Sequence, residues 1–313
     1  MGDIDERKLN TLYNAMGKDL LDCLNDPDVF EVLVNDNGLL WTDTFSKGRV
    51  STQKYLSSDN RFKIIMLIAD ATKQIVNEEH PLLEAELPDK SRFQGYFPRV
   101  VRFPAFVIRK HAIAKQTLDD YVLCGIMTEK QKKFIVDAIY SNRNILVAGA
   151  TKSGKTTLLN AILEEIAKTE ERVITVEEGM SELKCTSELG LSLCTSKYAS
   201  LLDILRGLLR GTPDRIVMGE LRAGEAMDLL DLWNTGHGGG CASIHANSAY
   251  LSLKRLEKMI LRVSINPQKE SIGEIIDVVL FMERKGTGRA LKEIMEVKGY
   301  DEKKGDYDVV YLK

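Results

Sequence analysis

Cysteine is scarce in this chain: there are five in 313 residues, Cys23, Cys124, Cys185, Cys194 and Cys241, dispersed and without a C-x-x-C pair. That pattern fits a reducing compartment and argues against a disulfide framework or a structural zinc. Long apolar runs are missing too. The run Ile64-Ile-Met-Leu-Ile68, between Lys63 and Asp70, falls far short of the roughly 20 residues that a membrane span needs. Nor does positive charge dominate. With 43 Lys and Arg against 46 Asp and Glu, the net charge is −3, so no basic field favours tight, nonspecific nucleic-acid binding. The opening Met1-Gly-Asp-Ile-Asp-Glu6 is acidic, unlike a secretory signal, and Glu6 argues against myristoylation of Gly2. Internal repeats and low-complexity tracts are absent. What is present, 44% hydrophobic and 28% charged residues, is the composition of a soluble globular protein large enough for two domains. The expected setting is the cytoplasm, with association to the inner face of a membrane made only through partners.

Residues 8–24 set Leu9, Leu12, Tyr13, Met16, Leu20, Leu21 and Leu24 on one helical stripe. Val29–Val34 and Leu39–Thr42 flank Asn35-Asp-Asn-Gly38, a hairpin signal. An amphipathic helix is expected over about 52–77, then short strands near 93–97, 100–103 and 106–108. Residues 1–110 therefore read as a small α/β or α+β domain with an antiparallel sheet, and 111–128 as a linker carrying one helical turn. From Thr128 onward strands and helices alternate. Strands are expected at 144–148, 172–176, 215–218, 241–245 and 278–282; helices at 155–168, 200–210, 223–234 and 248–263; and a β-type tail at 290–298 and 307–312. Alternation with short connections implies an α/β domain over 129–313, with a mostly parallel, doubly wound sheet. Ligands bind such sheets at the carboxyl ends of the strands.

The stretch Asn144–Thr157 carries the clearest chemistry. Apolar Ile145–Ala148 lead into Gly149-Ala-Thr-Lys-Ser-Gly-Lys-Thr156, which satisfies G-x-x-x-x-G-K-[ST], and Leu158, Leu159, Ile162, Leu163 and Ile166 follow at helical spacing. A loop wrapped around a polyphosphate needs backbone angles that glycine tolerates, and the following helix adds unpaired N–H groups and the positive end of its dipole. Gly149, Ala150, Thr151, Lys152, Ser153, Gly154, Lys155, Thr156 and Thr157 are thus the expected phosphate contacts. Lys155 would reach the β- and γ-phosphates of ATP, and Thr156 would help to hold Mg²⁺. Lys152 stands where many such loops carry glycine.

Acidic residues follow two of the expected strands: Glu177 and Glu178 after 172–176, and Glu220 after 215–218 and Gly219. Carboxylates at strand ends beside a triphosphate can orient or deprotonate water and help to organise Mg²⁺; Glu220 is expected to serve both purposes. The alternative is a set of solvated acids. His237, inside Thr235-Gly-His-Gly-Gly-Gly240, and His245 are candidate γ-phosphate sensors or bridges to a neighbouring subunit, with a structural hydrogen-bonding role as the alternative. Two arginine groups, Arg206, Arg210, Arg215 and Arg222, and Arg92, Arg99, Arg102 and Arg109, could supply charge against the γ-phosphate.

Together these pieces resemble the secretion ATPase superfamily, the traffic ATPases of type IV secretion and conjugal transfer and the type IV pilus motors, with the TrbB-like conjugal-transfer branch the nearest. The resemblance spans nearly the whole chain. It rests on Asp28–Asn35, Leu87–Gln94, Ile108–Lys110, Thr117–Tyr121 and Gly125–Thr128, and then on the phosphate loop, Thr175–Glu178, Pro213–Glu220, Arg222 with Glu225-Ala226, Thr235–His237 and Ile244–Asn247. It implies a RecA-like ATPase domain, a homohexameric ring, and ATP held between the two domains. It also implies partners among the inner-membrane secretion or conjugation components. By the same resemblance Glu177 is the acidic-box carboxylate, Glu220 the Walker B glutamate, His237 and His245 the histidine-box residues, and Arg92 and Arg109 amino-terminal arginines that approach the phosphates. The chain departs from the pattern at Lys152, at Glu178 (where aspartate is usual) and at Thr212 (where arginine is frequent).

The expected function is an ATP-hydrolysing ring motor. A nucleotide-switched assembly module with little hydrolysis and a RecA-like DNA translocase are the competing readings, and a small-molecule P-loop kinase is more distant. The lack of a basic arm speaks against tight direct nucleic-acid binding.

Overall fold

In the computed structural model, which describes residues 6–44, 47–110, 117–179, 182–285 and 288–312, the chain divides into two units, Met1–Ala114 and Lys115–Lys313. The acidic opening (1–5) and the start of the expected linker (111–116) lie outside the described residues.

The first unit runs α1 (Glu6–Asn25), β1 (Val29–Val34), β2 (Leu39–Thr44), β3 (Gly48–Tyr55), α2 (Ser58–Thr72), β4 (Leu82–Glu86), β5 (Arg92–Tyr96) and β6 (Ala105–Arg109). Its six strands form an antiparallel sheet in the order β3-β2-β1-β6-β5-β4. Leu12, Met16 and Leu20 of α1 and Ile64, Ile65 and Ile68 of α2 join Val32, Val34, Leu83, Phe93, Phe106 and Ile108 in one core. The expected hairpin is present. Gly38 turns it at φ 84°, and the buried Arg61 guanidinium of α2 donates to the carbonyls of Asn35 (2.6 Å) and Asp36 (2.7 Å). The helix expected over 52–77 is shorter, because Ser51 and Tyr55 belong to β3, which pairs with β2, and Ser57 caps α2. Strand β4 was not anticipated, whereas 100–103 forms only an isolated bridge, Pro98 with Val101.

The second unit opens with α3 (Leu118–Leu123) and α4 (Glu129–Tyr140), each started by a capping box, at Thr117/Asp120 and Thr128/Gln131. The described part of the expected linker is therefore structured: Leu118, Tyr121 and Met127 are buried in this unit's core. There follow β7 (Ile145–Gly149), α5 (Lys155–Ile166), β8 (Val173–Glu177), β9 (Leu191–Cys194), α6 (Leu201–Leu208), β10 (Arg215–Leu221), α7 (Glu225–Asn234), β11 (Cys241–His245), α8 (Ala249–Ile260), α9 (Lys269–Ile275), β12 (Val278–Lys285), β13 (Gly288–Asp301) and β14 (Asp306–Tyr311). The sheet order is β14-β13-β12-β7-β11-β10-β8-β9; β12 through β9 are parallel, and β13 and β14 complete an antiparallel edge. The central strands bear side chains buried on both faces, as parallel strands between two helical layers must. One layer packs Leu158, Leu159 and Ile162 of α5 with Ile135 and Ile139 of α4; the other packs α6, α7, α8 and α9. Each such buried aliphatic side chain contributes about 1.5–3 kcal/mol. The α/β expectation is met, with β9 and α9 added.

No described helix is long and apolar enough to cross a membrane.

Candidate functional site: a phosphate loop and its histidine–glutamate relay

Parallel register brings the chemistry to one edge of the second sheet. Gly149 ends β7, Glu177 ends β8, His245 ends β11, and Glu220 lies next to last in β10. The β10–β11 register shifts between Met218 and Leu221, an irregularity of the kind that re-aims a side chain. It falls on Gly219-Glu220. Ser243 Oγ, buried, fixes that point by donating to the Gly219 carbonyl at 2.6 Å.

The loop has the shape its glycines suggest, for two different reasons. A Cβ on Gly149 would stand 2.5 Å from the Met282 carbonyl and would also strike Ser153, so the first glycine is demanded by the close passage of β12. Gly154, by contrast, adopts φ 95°, and Lys152 adopts φ 62°. The lysine occupies a left-handed conformation that suits glycine and costs other residues about 1–2 kcal/mol. Gly154 is the N-cap of α5 and, lacking a side chain, offers no capping acceptor to the N–H groups of the first turn. Ser153 Oγ is fully buried and has no hydrogen-bond partner among the described residues. An uncapped helix end beneath a loop with an orphaned hydroxyl fits a phosphate ligand.

Lys155 begins α5 and is buried; its Nζ donates to the Ala150 carbonyl and to His245 Nδ1, both at 3.1 Å. An ammonium only donates, so Nδ1 is the acceptor and the imidazole proton sits on Nε2, 2.5 Å from Glu220 Oε1. Burial, and then the Lys155 charge, push the His245 pKa down against the opposing pull of Glu220, which agrees with a neutral ring. Arg222 holds the other Glu220 oxygen, with Nε and Nη2 each 2.8 Å from Oε2, and its Nη1 reaches Glu178 Oε2 at 2.9 Å. The result is a continuous relay, Lys155–His245–Glu220–Arg222–Glu178. Beside it a cavity of about 510 Å³ is lined by Ala150, Thr151, His245, Lys254, Arg255 and Lys258 among others.

Not every expected residue meets this relay. Glu177 is buried and accepts backbone N–H groups of Glu182 (2.8 Å) and Leu183 (3.1 and 3.0 Å); its Cγ lies 2.8 Å from where a Gly219 Cβ would be. It anchors the segment after β8 and packs on Gly219, whereas its neighbour Glu178 joins the relay. His237 lies before β11, at the amino edge of the sheet, and donates from Nδ1 to the Pro213 carbonyl at 2.8 Å. Within this chain it is therefore at the opposite edge from the phosphate loop, a strand's length from His245. Among the surrounding glycines Gly240 serves packing, since a Cβ there would strike Trp233 and the Ile216 carbonyl, whereas a Cβ on Gly236 would meet nothing within 4 Å. Arg215 also belongs to that edge, buried and donating to the Ile139 and Gly239 carbonyls. Thr156 lies in the first turn of α5.

In the first unit Arg92 and Arg109 are direct cross-strand partners, flanked in register by Glu86 on β4 and Glu31 on β1. Residues paired in this way share a face, so the two arginines stand together in a charged row. Ser243 was missed in the sequence, although a serine inside the apolar run Ala242–Ile244 was the available signal.

A family model described as "Type II/IV secretion system protein" matches residues 49–281. Probable conjugal transfer protein TrbB of Sinorhizobium fredii (strain NBRC 101917 / NGR234) is 39% identical over 297 residues, covering 94% of this chain and 91% of that protein. Type IV secretion system protein VirB11 of Brucella suis biovar 1 (strain 1330) is 28% identical, covering 87% and 86% respectively. The X-ray structure of the Legionella pneumophila ATPase DotB is alike in fold, with a TM-score of 0.64 at 18% identity over 91% of this chain and 78% of that one. The family match covers most of the chain and the conjugal-transfer relative nearly all of it: the chain belongs to the type II/IV secretion system protein family.

Proposed function

We propose that this protein is a Mg²⁺-dependent ATPase, working as a ring-forming homo-oligomer, hexameric by resemblance, that drives conjugal transfer or type IV secretion from the cytoplasmic face of the membrane. The observation that carries the reading is the relay at the mouth of the phosphate loop, in which the loop lysine, a neutral histidine and a strand-end glutamate contact one another in sequence. Lys155 and the α5 N-terminus bind phosphate charge. Glu220 orients or deprotonates the attacking water, and His245, holding its proton on Nε2, keeps the glutamate aimed and reports on Lys155. Thr156 and Glu220 would help to hold Mg²⁺ on the nucleotide's phosphates, where it would offset their charge. Arg92 and Arg109, side by side on β5 and β6, are proposed to add charge from the first unit, and His237 to act at a subunit boundary.

One observation favours the alternative, a nucleotide-switched module: both Glu220 oxygens are already engaged, by His245 and Arg222. ATP turnover of wild type and Glu220→Gln, measured across protein concentration with light scattering for mass, separates the two. The motor reading expects mass and turnover to rise together and Glu220→Gln to lose about 10²-fold or more in turnover while retaining ATP. Wild-type turnover no faster than that of the variant would move the switch module to first place.

A further inference from the structure

Arg289 lies 134 positions beyond Lys155, outside every motif named above, yet the fold lays it on the phosphate loop. Strand β12 runs parallel to β7 with Met282 abreast of Gly149, so its residues after Met282 continue past the edge of the sheet beside the loop. The chain returns along β13, where Arg289 pairs with Arg284. A Cβ placed on Gly154 would stand 3.0 Å from Arg289 Cδ, 3.4 Å from Nη1 and 3.5 Å from Nε. The arginine thus occupies the space a side chain at Gly154 would need, with its guanidinium over the N-cap of α5. Its charge also reaches the buried Tyr121 phenol, where it opposes the dominant effect of burial.

A cation belongs electrostatically at a helix C-terminus, not at an N-terminus. Here a guanidinium lies over the positive end of α5, whose first residue is Lys155, a charge distribution suited to an anion in the loop. Sheet order says which part of the anion. His245 and Glu220 stand on β11 and β10, to one side of β7, and β12 with its returning strand stands on the other. A phosphate chain whose terminal group faces the His245–Glu220 relay extends its opposite end toward Arg289.

We infer that Arg289 is a nucleotide-binding residue that grips the α-phosphate end of the ligand, the part common to ATP and ADP; this rests on the nucleotide reading above. Arg289 then sets affinity without distinguishing the two nucleotides, whereas the relay on the far side of β7 sees the terminal phosphate.

The test is equilibrium titration of the full chain with ADP and with a non-hydrolysable ATP analogue, for wild type, Arg289→Ala, Arg289→Lys and Lys155→Ala, with thermal unfolding of each. Arg289→Ala is expected to weaken both nucleotides by the same factor, about tenfold or more, as for loss of a charge-assisted hydrogen bond to phosphate. Arg289→Lys, which keeps the charge but loses the fork, should recover part of that loss. Wild-type affinities in Arg289→Ala overturn the inference. Weakening of the ATP analogue alone overturns the assignment to the α-phosphate end. Should Arg289→Ala fail to fold, Arg289→Lys decides: a loss of about threefold or more for both nucleotides upholds the inference, and unchanged affinity overturns it. The nucleotide reading itself fails separately, if wild type binds neither ligand or Lys155→Ala binds both as wild type does.

Discussion

Replacing Gly149 by alanine adds one methyl group at the point where β7 turns into the phosphate loop. That methyl would stand 2.5 Å from the Met282 carbonyl, which is backbone and cannot rotate away, and also against the Ser153 side chain. Met282 is fixed by its pairing with β7, so relief requires β12 or the loop to move. Overpacking a rigid site costs about 1–3 kcal/mol, and the upper end applies when backbone must yield. For a unit of this size each kcal/mol lowers the melting temperature by roughly 2–4 °C, so Gly149→Ala should melt about 6–12 °C below wild type. The matched control is Gly207→Ala on α6, where a Cβ meets nothing within 4 Å. There the same methyl should stabilise by about 0.5–1 kcal/mol, through the helix preference of alanine. Thermal unfolding of the full chain, followed by circular dichroism, compares the two. A Gly149→Ala protein that melts with wild type or above it would refute the close approach of β12 to the loop.

Lys152→Val should cost about 1–2 kcal/mol because a β-branched residue tolerates φ 62° poorly, while Lys152→Gly should stay within about 1 kcal/mol of wild type, relief of strain being offset by the entropy of glycine; identical melting of all three would deny the left-handed backbone. In Glu177→Gln, the amides of Glu182 and Leu183 should exchange with solvent at least about tenfold faster, since an amide replaces a carboxylate that accepts from both, and unchanged protection would remove that anchor. The pKa of His245 is depressed below its ordinary 6.5 on folding, so over the window from 6.5 down through the folded value the unfolded chain binds more protons than the native one. Stability should therefore fall as pH drops through that window, by less in His245→Asn; a variant with the wild-type pH dependence would take His245 out of the linkage.

Local chemistry made much of this protein legible in the sequence. A tight loop between a strand and a helix depends on contiguous residues, so the turn over Gly149–Thr156 could be read directly. The helical start at Thr128, the Gly38 hairpin and the alternation of β7, α5, β8, β10, α7 and β11 likewise arise from neighbours within a few positions. Strands β4 and β9 were less visible because each is short and pairs at an edge of its sheet, and β9 carries no alternation of buried and exposed residues. Between the two histidines, which look alike in sequence, only tertiary structure decides: parallel register sends His245 to the carboxyl edge beside Lys155 and leaves His237 at the amino edge on Pro213. The same holds for the paired acids, of which Glu177 turns inward to backbone amides while Glu178 meets Arg222. It holds also for Arg289, brought to Gly154 by the return of a strand from a distant part of the chain. The sequence by itself determined which residues could carry phosphate chemistry, because that depends on residue type and short spacing. Which of them share one site was decided by strand order and register, since these set which ends of distant segments lie side by side.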